Sequence, residues 1–194
     1  MFYSIDMRKK RKLLFPAVLI MAIGIVFVGL NYMFPVKYYD IIEEYSAKYG
    51  LSPQLVCAMI WAESGFEPEA KSNKDASGLM QVIKQTADWA EEEIGIENYD
   101  YSRISEPEMN IQIGCWYMGR LITQYGGNVD TALAAYNAGS GNVAKWLGEE
   151  TEKGGNSLSS IPFSETRVYV ERVHMYEKIY ALLLKLHTKQ LQIF

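Results

Sequence analysis

The stretch Trp61–Gln81, WAESGFEPEAKSNKDASGLMQ, connects the end of an apolar segment to a polar loop that contains glycine. The segment before it has the periodicity of an α-helix. Four of its residues are spaced i, i+3, i+4 and i+7 and therefore share one face: Val56, Met59, Ile60 and Glu63. The sequence thus predicts a carboxyl group in a row of apolar side chains, in the last turn of a helix that ends at Ser64-Gly65.

Two effects favour the neutral form of the Glu63 side chain. Burial disfavours the charged carboxylate and the negative end of the helix dipole repels it, so both effects raise the pKa. A carboxyl group that keeps its proton near neutral pH is suited to act as a general acid. The alternative is a glutamate at the edge of the apolar face, which reaches sideways to a lysine or to water.

Other polar and aromatic side chains further along the chain are candidates for the same site. Gln81 offers a hydrogen-bond donor and an acceptor to an amide- or hydroxyl-bearing ligand, but it could equally cap the following helix. Tyr136 and Asn137 lie at a predicted helix end. The ring could stack on a sugar or pack in the core, and the amide could simply cap the helix. Taken one at a time, these residues leave both interpretations open.

Five short motifs follow one another along the chain: Glu63-Ser64-Gly65, Gly78-Leu79-Met80-Gln81, Asn110-Ile111-Gln112-Ile113-Gly114, Ala135-Tyr136-Asn137-Ala138-Gly139 and Glu165-Thr166-Arg167-Val168-Tyr169. In this order and spacing, over roughly residues 38–185, they resemble the lytic transglycosylases with a soluble-lytic-transglycosylase (goose-lysozyme-like) catalytic domain. The resemblance implies an all-α, lysozyme-like fold. It also implies a lyase that cleaves the β-1,4 bond between N-acetylmuramic acid and N-acetylglucosamine in peptidoglycan, leaving a 1,6-anhydromuramoyl product.

The resemblance also assigns roles to individual residues. Glu63 is expected to be the catalytic acid and then the base. Further residues are expected to line the glycan groove: Ser72, Gly78, Met80, Gln81, Tyr136, Asn137 and Tyr169. Some members carry a second loop serine where this chain has Lys74, so that contact is not expected here. No metal or other cofactor is implied.

A single well-placed acid fits a transglycosylase. Glycoside hydrolysis ordinarily uses two carboxylates, but the other acids near Glu63 lie in the polar loop, where solvated charges are expected: Glu67, Glu69 and Asp75. In the transglycosylase reaction the muramoyl C6 hydroxyl replaces water, so one carboxyl suffices. Two alternatives stay open. The first is a muramidase that uses a loop acid such as Asp75 to direct water, and the second is a non-catalytic glycan-binding or assembly protein.

The N-terminal region has the pattern of a membrane anchor. Residues 1–12 carry five basic side chains and one acid, and no charge follows until Lys37. The 24 uncharged positions would span about 36 Å as a helix, which is enough to cross a bilayer core. A cleaved signal peptide is the alternative, but the exit GLNYMFP is bulky where a cleavage site needs small residues. We therefore expect a cytoplasmic segment 1–12, a transmembrane anchor 13–34 and an extracytoplasmic domain 35–194 in the cytoplasmic membrane.

The outer domain is acidic. The whole chain has a formal charge of −4 and residues 1–34 are basic, so the remaining residues carry about −8. Binding to nucleic acid depends on lysine and arginine, so this charge argues against it. Glycan strands of peptidoglycan are the expected partner, beside the membrane that residues 13–34 would cross. The sequence identifies no protein partner.

The outer domain is predicted to be helical throughout. The periodicity and capping signals place helices over residues 38–49, 53–64, 86–94, 107–125, 128–138 and 164–187, with a short turn or helix at 142–147 and a loop at 148–160. Cys57 and Cys115 fall among apolar neighbours, which favours two buried free thiols. His174 and His187 lie in the last helix and are expected at the surface or in a structural role.

Overall fold

The computed structural model describes residues 7–150 and 160–191 of the 194-residue chain. Its helices are α1 Met7–Met33, α2 Tyr39–Lys48, α3 Pro53–Ser64, α4 Lys84–Ile94, α5 Pro107–Gln124, α6 Val129–Ala138, α7 Ser140–Glu150 and α8 Ser164–Leu191, with a 3-10 helix at Tyr101–Arg103. The described residues contain isolated β-bridges between Lys71, Ser77 and Val82 but no strand. The predicted all-α fold class is confirmed.

The chain divides into two compact units, with the boundary between Val36 and Lys37. The first contains α1, in which Phe15–Met33 is long and apolar enough to cross a membrane. Signal sequences share these features, so the helix alone does not separate an anchor from a signal sequence. The second unit contains α2 to α8.

Helix α3 forms the core of the second unit. It packs against α8 and α2, while α6 packs against α5, α7 and α8. Six consecutive residues of α3, from Leu55 to Ile60, are buried. Six residues cover more than one full turn, so the helix is buried on all sides. The expectation of a single apolar face is therefore corrected: α3 is partly accessible only at its two ends, at Pro53 and Gln54 and in the last turn, where Glu63 lies.

Both ends of α3 are formed as the sequence predicts. The Ser52 side chain accepts a hydrogen bond from the Leu55 N–H at 3.3 Å, and Pro53 occupies the first turn. Gly65 ends the helix in the left-handed region, with φ 62°. The helix therefore stops directly after the E-S motif and leaves Glu63 in its final turn.

Elsewhere the structure differs from the prediction mainly at element ends. Helix α4 begins two residues earlier than predicted, and α7 is a helix of 11 residues that includes the start of the predicted loop 148–160. The rest of that loop, residues 151–159, lies outside the described residues. Helix α8 continues to Leu191.

Two smaller predictions are confirmed and one is untested. Cys57 and Cys115 are buried free thiols. His174 is partly exposed and its Nε2 lies 2.6 Å from Asp130 Oδ1, which connects α8 to α6. The side chain of His187 lies outside the described residues.

Candidate active site

A cavity of about 440 Å³ lies where the end of α3 meets α6 and the first turns of α8. Its lining residues are Ala62, Glu63, Asn137, Ser164, Glu165, Val168, Tyr169 and Arg172. Three of the predicted site residues, Glu63, Asn137 and Tyr169, therefore come together here from three different helices. The cavity is open and most of its lining side chains are polar or charged, which suits a hydroxyl-rich ligand.

Burial raises the pKa of Glu63 from its ordinary value of 4.5 to about 7. The Tyr169 hydroxyl opposes this increase, since hydrogen bonding to the carboxylate favours the charged form. Burial, one of the two causes that the sequence predicted, is thus the cause of the raised pKa of Glu63. At neutral pH a substantial fraction of Glu63 is protonated, which a general acid requires.

Tyr169 is the partner that faces Glu63 from α8. Its side chain is buried, and its hydroxyl makes no hydrogen bond of standard geometry. Burial and, secondarily, the nearby charge of Glu63 hold its pKa well above the usual value for tyrosine. The hydroxyl therefore keeps its proton at physiological pH and is available to donate to the carboxylate or to a ligand.

Tyr136 supports the other side of the site. Burial raises its pKa well above the usual value, and the charge of Glu63 raises it further, so the two side chains are electrostatic neighbours. The Tyr136 hydroxyl donates to the Met80 carbonyl at 2.8 Å. Its ring packs on Tyr117 with centroids 5.4 Å apart. Tyr136 is therefore fixed in place, and its hydroxyl is already engaged by the loop.

The loop between α3 and α4 is held in place by Asn110. The Asn110 side chain is fully buried and accepts from the Met80 N–H at 2.7 Å. It donates to the carbonyls of Ser77 and Ile104, each at 2.9 Å. Gly78 packs directly on it, because a Cβ at this position would lie 2.2 Å from Asn110 Nδ2. Every hydrogen-bonding atom of this amide is thus used to fix the G-L-M-Q segment.

Ser64 joins the same loop to the end of α3. Its hydroxyl oxygen lies 2.8 Å from the Leu79 carbonyl oxygen and 3.1 Å from that of Ile60. The residue directly after Glu63 therefore ties the helix end to the G-L-M-Q segment. Phe66 is buried just beyond it and packs beside Trp61 and Tyr180.

The burial of Met80 and Gly78 argues against the groove roles that the resemblance implies for them. Both residues are buried, with the Met80 side chain against Gly114 and Gly78 against Asn110. Gly78 has no side chain to offer, and close packing of this loop on α5 covers that of Met80. Asn110 and Gly114 have the packing role that the sequence suggested.

Ser72 and Gln81 also stabilise the loop. Ser72 Oγ accepts from the backbone N–H groups of Lys74 and Ala76, each at 3.1 Å. Gln81 Nε2 donates to the carbonyls of Gly78 at 2.9 Å and Ala70 at 3.1 Å, so its donors are engaged. The alternative that Gln81 caps α4 is wrong, since its amide bonds lie within its own loop. Its carbonyl oxygen is the part suited to a ligand.

Two charged residues of the cavity wall were not singled out from the sequence. Glu165 and Arg172 lie on α8 with Tyr169 between them, at spacings of four and three residues, so all three share a face. Glu165 begins the E-T-R-x-Y motif, and this helical spacing was the available signal. Arg172 lies outside every motif, so the sequence offered no indication of its position.

Solved structures of lytic transglycosylases share this fold. An inactive mutant of the lytic transglycosylase Slt from Pseudomonas aeruginosa matches with a TM-score of 0.73 and 32% identity, covering 80% of this chain and 26% of that one. The 70 kDa soluble lytic transglycosylase from Escherichia coli matches with a TM-score of 0.72 and 35% identity, with the same coverage. The predicted lysozyme-like fold is thereby confirmed.

The sequence comparisons agree. Residues 40–159 match the transglycosylase SLT domain, and residues 160–188 match the soluble lytic transglycosylase helical domain. The soluble lytic murein transglycosylases of Salmonella typhimurium and Escherichia coli K12 are 38% and 36% identical over 154 residues, or 78% of this chain. The chain spans about a quarter of the length of these relatives, 24% in both cases. It belongs to the transglycosylase SLT domain family, as the motifs predicted.

Proposed function

We propose that this protein is a membrane-anchored lytic transglycosylase of peptidoglycan. It cleaves the β-1,4 bond between N-acetylmuramic acid and N-acetylglucosamine, and Glu63 is both the acid and the base. The observation that supports this proposal most directly is the position of Glu63. Its carboxyl has a pKa of about 7 and lies on the wall of the 440 Å³ cavity, within the E-S-G motif. Family membership supports the same activity.

In the proposed reaction, Glu63 begins protonated. It gives its proton to the glycosidic oxygen, and the bond from that oxygen to the muramoyl C1 breaks. The C6 hydroxyl of the same muramoyl residue then closes on C1, and its proton returns to the Glu63 carboxylate. Atoms and charges balance without water, and the enzyme ends in its starting state.

Tyr169 supports both halves of this cycle. Its hydroxyl stays protonated and buried beside Glu63. When Glu63 becomes charged after the first proton transfer, donation from Tyr169 stabilises the carboxylate. The same interaction limits the basicity of Glu63, so the carboxyl can release its proton as well as recover it. Tyr136 and Asn137 complete the groove as the proposed glycan contacts.

A muramidase on the same fold is the second candidate, and one observation keeps it in consideration. Glu165 lies on the same cavity wall as Glu63. It is therefore better placed than the loop acid Asp75, which is exposed, to direct a water molecule. The third candidate, a non-catalytic glycan-binding protein, is disfavoured because the acid, its raised pKa and its cavity are all retained.

The proposed location is the cytoplasmic membrane, with residues 13–34 as anchor, 1–12 in the cytoplasm and the domain of 35–194 on the cell-wall side. The apolar helix Phe15–Met33 and the separate compact unit that begins at Lys37 support this division. The basic residues before the helix support the orientation, since positive flanks stay in the cytoplasm.

Product chemistry tests the proposed activity. The full chain, in detergent micelles, is incubated with purified peptidoglycan, and the released muropeptides are examined by mass spectrometry. The expected products carry 1,6-anhydromuramoyl ends and are one water lighter than hydrolysis products. Reducing ends would establish the muramidase instead and make Glu165 the first base to test. Binding of the chain to peptidoglycan without release of any product would favour the non-catalytic protein.

A further inference from the structure

The C-terminal half of α8 presents an apolar stripe to solvent. Its four residues are Met175, Ile179, Leu182 and Leu186, named here the α8 stripe. Met175 and Leu182 are each 52% exposed, Leu186 is 36% exposed, and Ile179 between them is half-buried. At 100° per residue, the four lie within about 60° of arc. The opposite side of the helix packs in the core through Val173, Tyr180, Leu183 and Leu184, so the stripe is not part of that core.

The charges beside the stripe are basic. Lys178 and Lys185 are exposed and lie along one edge of it, seven residues apart. After Glu177, residues 178–194 contain three lysines and a histidine and no acidic residue. This segment is therefore basic within an outer domain that is otherwise acidic. An apolar stripe edged by lysine is the pattern of a helix that lies in the surface of a bilayer and is attracted to anionic lipid.

The same charges disfavour a second copy of the chain as the occupant. Pairing two stripes would set lysines beside lysines, because the one acid between Met175 and Leu186, Glu177, lies on the opposite side of the helix from the stripe. Helix pairs of that kind normally place opposite charges along their edges. The stripe is also narrow, whereas a stable protein interface needs a larger continuous area.

The connection to α1 keeps the outer domain beside a membrane if α1 crosses one. Five residues separate Met33, at the end of α1, from Tyr39, at the start of α2. Fully extended, they reach less than about 20 Å. Such a tether raises the effective concentration of lipid at the domain, so a surface contact too weak to recruit a free protein can form.

We infer that the α8 stripe is a second membrane contact, which lies on an anionic lipid surface with Lys178 and Lys185 at the headgroups. The inference rests on the proposed membrane anchor. Val168 of the cavity wall lies seven residues before Met175 on the same side of α8, about 10 Å along the helix. A contact through the stripe therefore holds the cavity close to the bilayer and directs it to the glycan strands nearest the membrane.

Site-specific labelling of the full chain tests this contact. An environment-sensitive dye is attached to Leu182→Cys in vesicles of phosphatidylcholine and phosphatidylglycerol, and nitroxide lipids serve as quenchers. Glu92→Cys, an exposed site on α4, is the matched control. The native thiols of Cys57 and Cys115 are buried and stay unlabelled. The expected result is blue-shifted, quenched emission at position 182 and water-like emission at position 92.

Neutralising the two lysines gives a second test of the membrane contact. Lys178→Gln with Lys185→Gln is expected to lower the ratio of membrane-bound to free helix roughly 30-fold, as removing two interfacial lysines predicts. Vesicles of phosphatidylcholine alone are expected to give a similar loss. Equal emission at positions 182 and 92 would overturn the inference. So would cross-linking between copies at position 182 that increases with the ratio of protein to lipid.

A dye at Val26→Cys separates this inference from the anchor on which it rests. If position 26 lies in lipid and position 182 in water, the anchor stands and the surface contact is wrong. If position 182 lies in lipid and position 26 in water, the contact stands and the anchor is wrong. If both lie in water, both are wrong.

Discussion

At the scale of single residues, the proposed site centres on the carboxyl of Glu63 and the hydroxyl of Tyr169 beside it. Burial moves the pKa of the carboxyl to about 7, and the tyrosine hydroxyl pulls it back towards its ordinary value. A group that gives up a proton and then recovers it works best when its pKa lies near the operating pH. The two opposing effects place Glu63 in that range.

Removing the Tyr169 hydroxyl is expected to change the pH dependence of cleavage. Activity of the unaltered chain should fall about tenfold per pH unit above pH 7, because Glu63 must be protonated to act as the acid. In Tyr169→Phe the pKa of Glu63 rises further, so the pH above which activity falls should be higher than in the unaltered chain. The measurement is muropeptide release between pH 5 and pH 9. Tyr125→Phe is the control, since it removes a buried tyrosine hydroxyl that makes no hydrogen bond. If activity of Tyr169→Phe fell over the same pH range as that of the unaltered chain, the pairing of Glu63 with Tyr169 would be contradicted.

The same pKa predicts how stability depends on pH. In the unfolded chain Glu63 titrates near 4.5, but in the folded chain near 7. Protonation therefore stabilises the fold at low pH, and this contribution is lost as the pH rises to 7. Glu63→Gln has no charge to bury, so its stability relative to the unaltered chain should increase between pH 5 and pH 8, by up to about 3 kcal/mol. Denaturant unfolding of both proteins at pH 5 and at pH 8 measures this difference in the free energy of unfolding. A difference that does not depend on pH would show that the carboxyl is not buried.

At the scale of elements, the segment from Gly78 to Gln81 acts as a clamp between α3 and α5. Asn110 on α5 holds its backbone, Ser64 at the end of α3 holds the Leu79 carbonyl, and Tyr136 on α6 holds that of Met80. Three helices that carry or flank the site are therefore fixed relative to one another through backbone atoms of one short segment.

A matched pair of glycines tests this clamp. Gly78 and Gly127 both have φ in the left-handed region, at 82° and 87°, so alanine is strained at either position. Only at Gly78 does the added Cβ also meet Asn110, whereas at Gly127 nothing lies within 4 Å. Gly127→Ala should cost about 1 kcal/mol of unfolding free energy, because the left-handed conformation is unfavourable for a residue with a Cβ. Gly78→Ala should cost at least about 3 kcal/mol, because overpacking adds to the strain. Equal losses in thermal unfolding would mean that the contact with Asn110 carries no constraint.

Helix positions and the acid were predictable from the sequence because their signals are local. The Ser52-Pro53 start and the Gly65 stop of α3 depend on capping chemistry within a few residues. The pattern around Glu63 indicated burial and hence a raised pKa. The resemblance, rather than periodicity, brought Tyr169 and Asn137 to the same site.

What the sequence missed depends on tertiary contacts. Met80 and Gly78 belong to a motif, and a motif does not reveal whether its side chains face a groove or the core. Their packing on Gly114 and Asn110 appears only when the loop folds against α5. Arg172 reaches the cavity because of the rotation of α8, which no short pattern encodes.

At the scale of the whole molecule, the chain combines an apolar helix with a compact helical domain. The proposed topology predicts which parts of the chain face outward. Lys74→Cys, in the exposed loop after α3, should react with a membrane-impermeant maleimide in intact cells. Lys9→Cys should react only after the membrane is opened. The reverse pattern would contradict the orientation. Release of a soluble chain that lacks the N-terminal helix would establish a cleaved signal sequence instead.

The central claim is that one acid, Glu63, carries out cleavage, and one measurement tests it most directly. Muropeptide release from purified peptidoglycan is compared among the unaltered chain, Glu63→Gln and Glu69→Gln, an exposed acid of the neighbouring loop. Thermal unfolding and binding to purified peptidoglycan check that fold and groove are intact.

The account predicts that Glu63→Gln loses release of anhydro-muropeptides by at least about a thousandfold, with fold and binding retained, while Glu69→Gln is unaffected. A loss of that size is typical when a group essential for proton transfer is removed. Cleavage by Glu63→Gln at a rate near that of the unaltered chain would contradict the claim, and the acid would have to be sought elsewhere on the cavity wall.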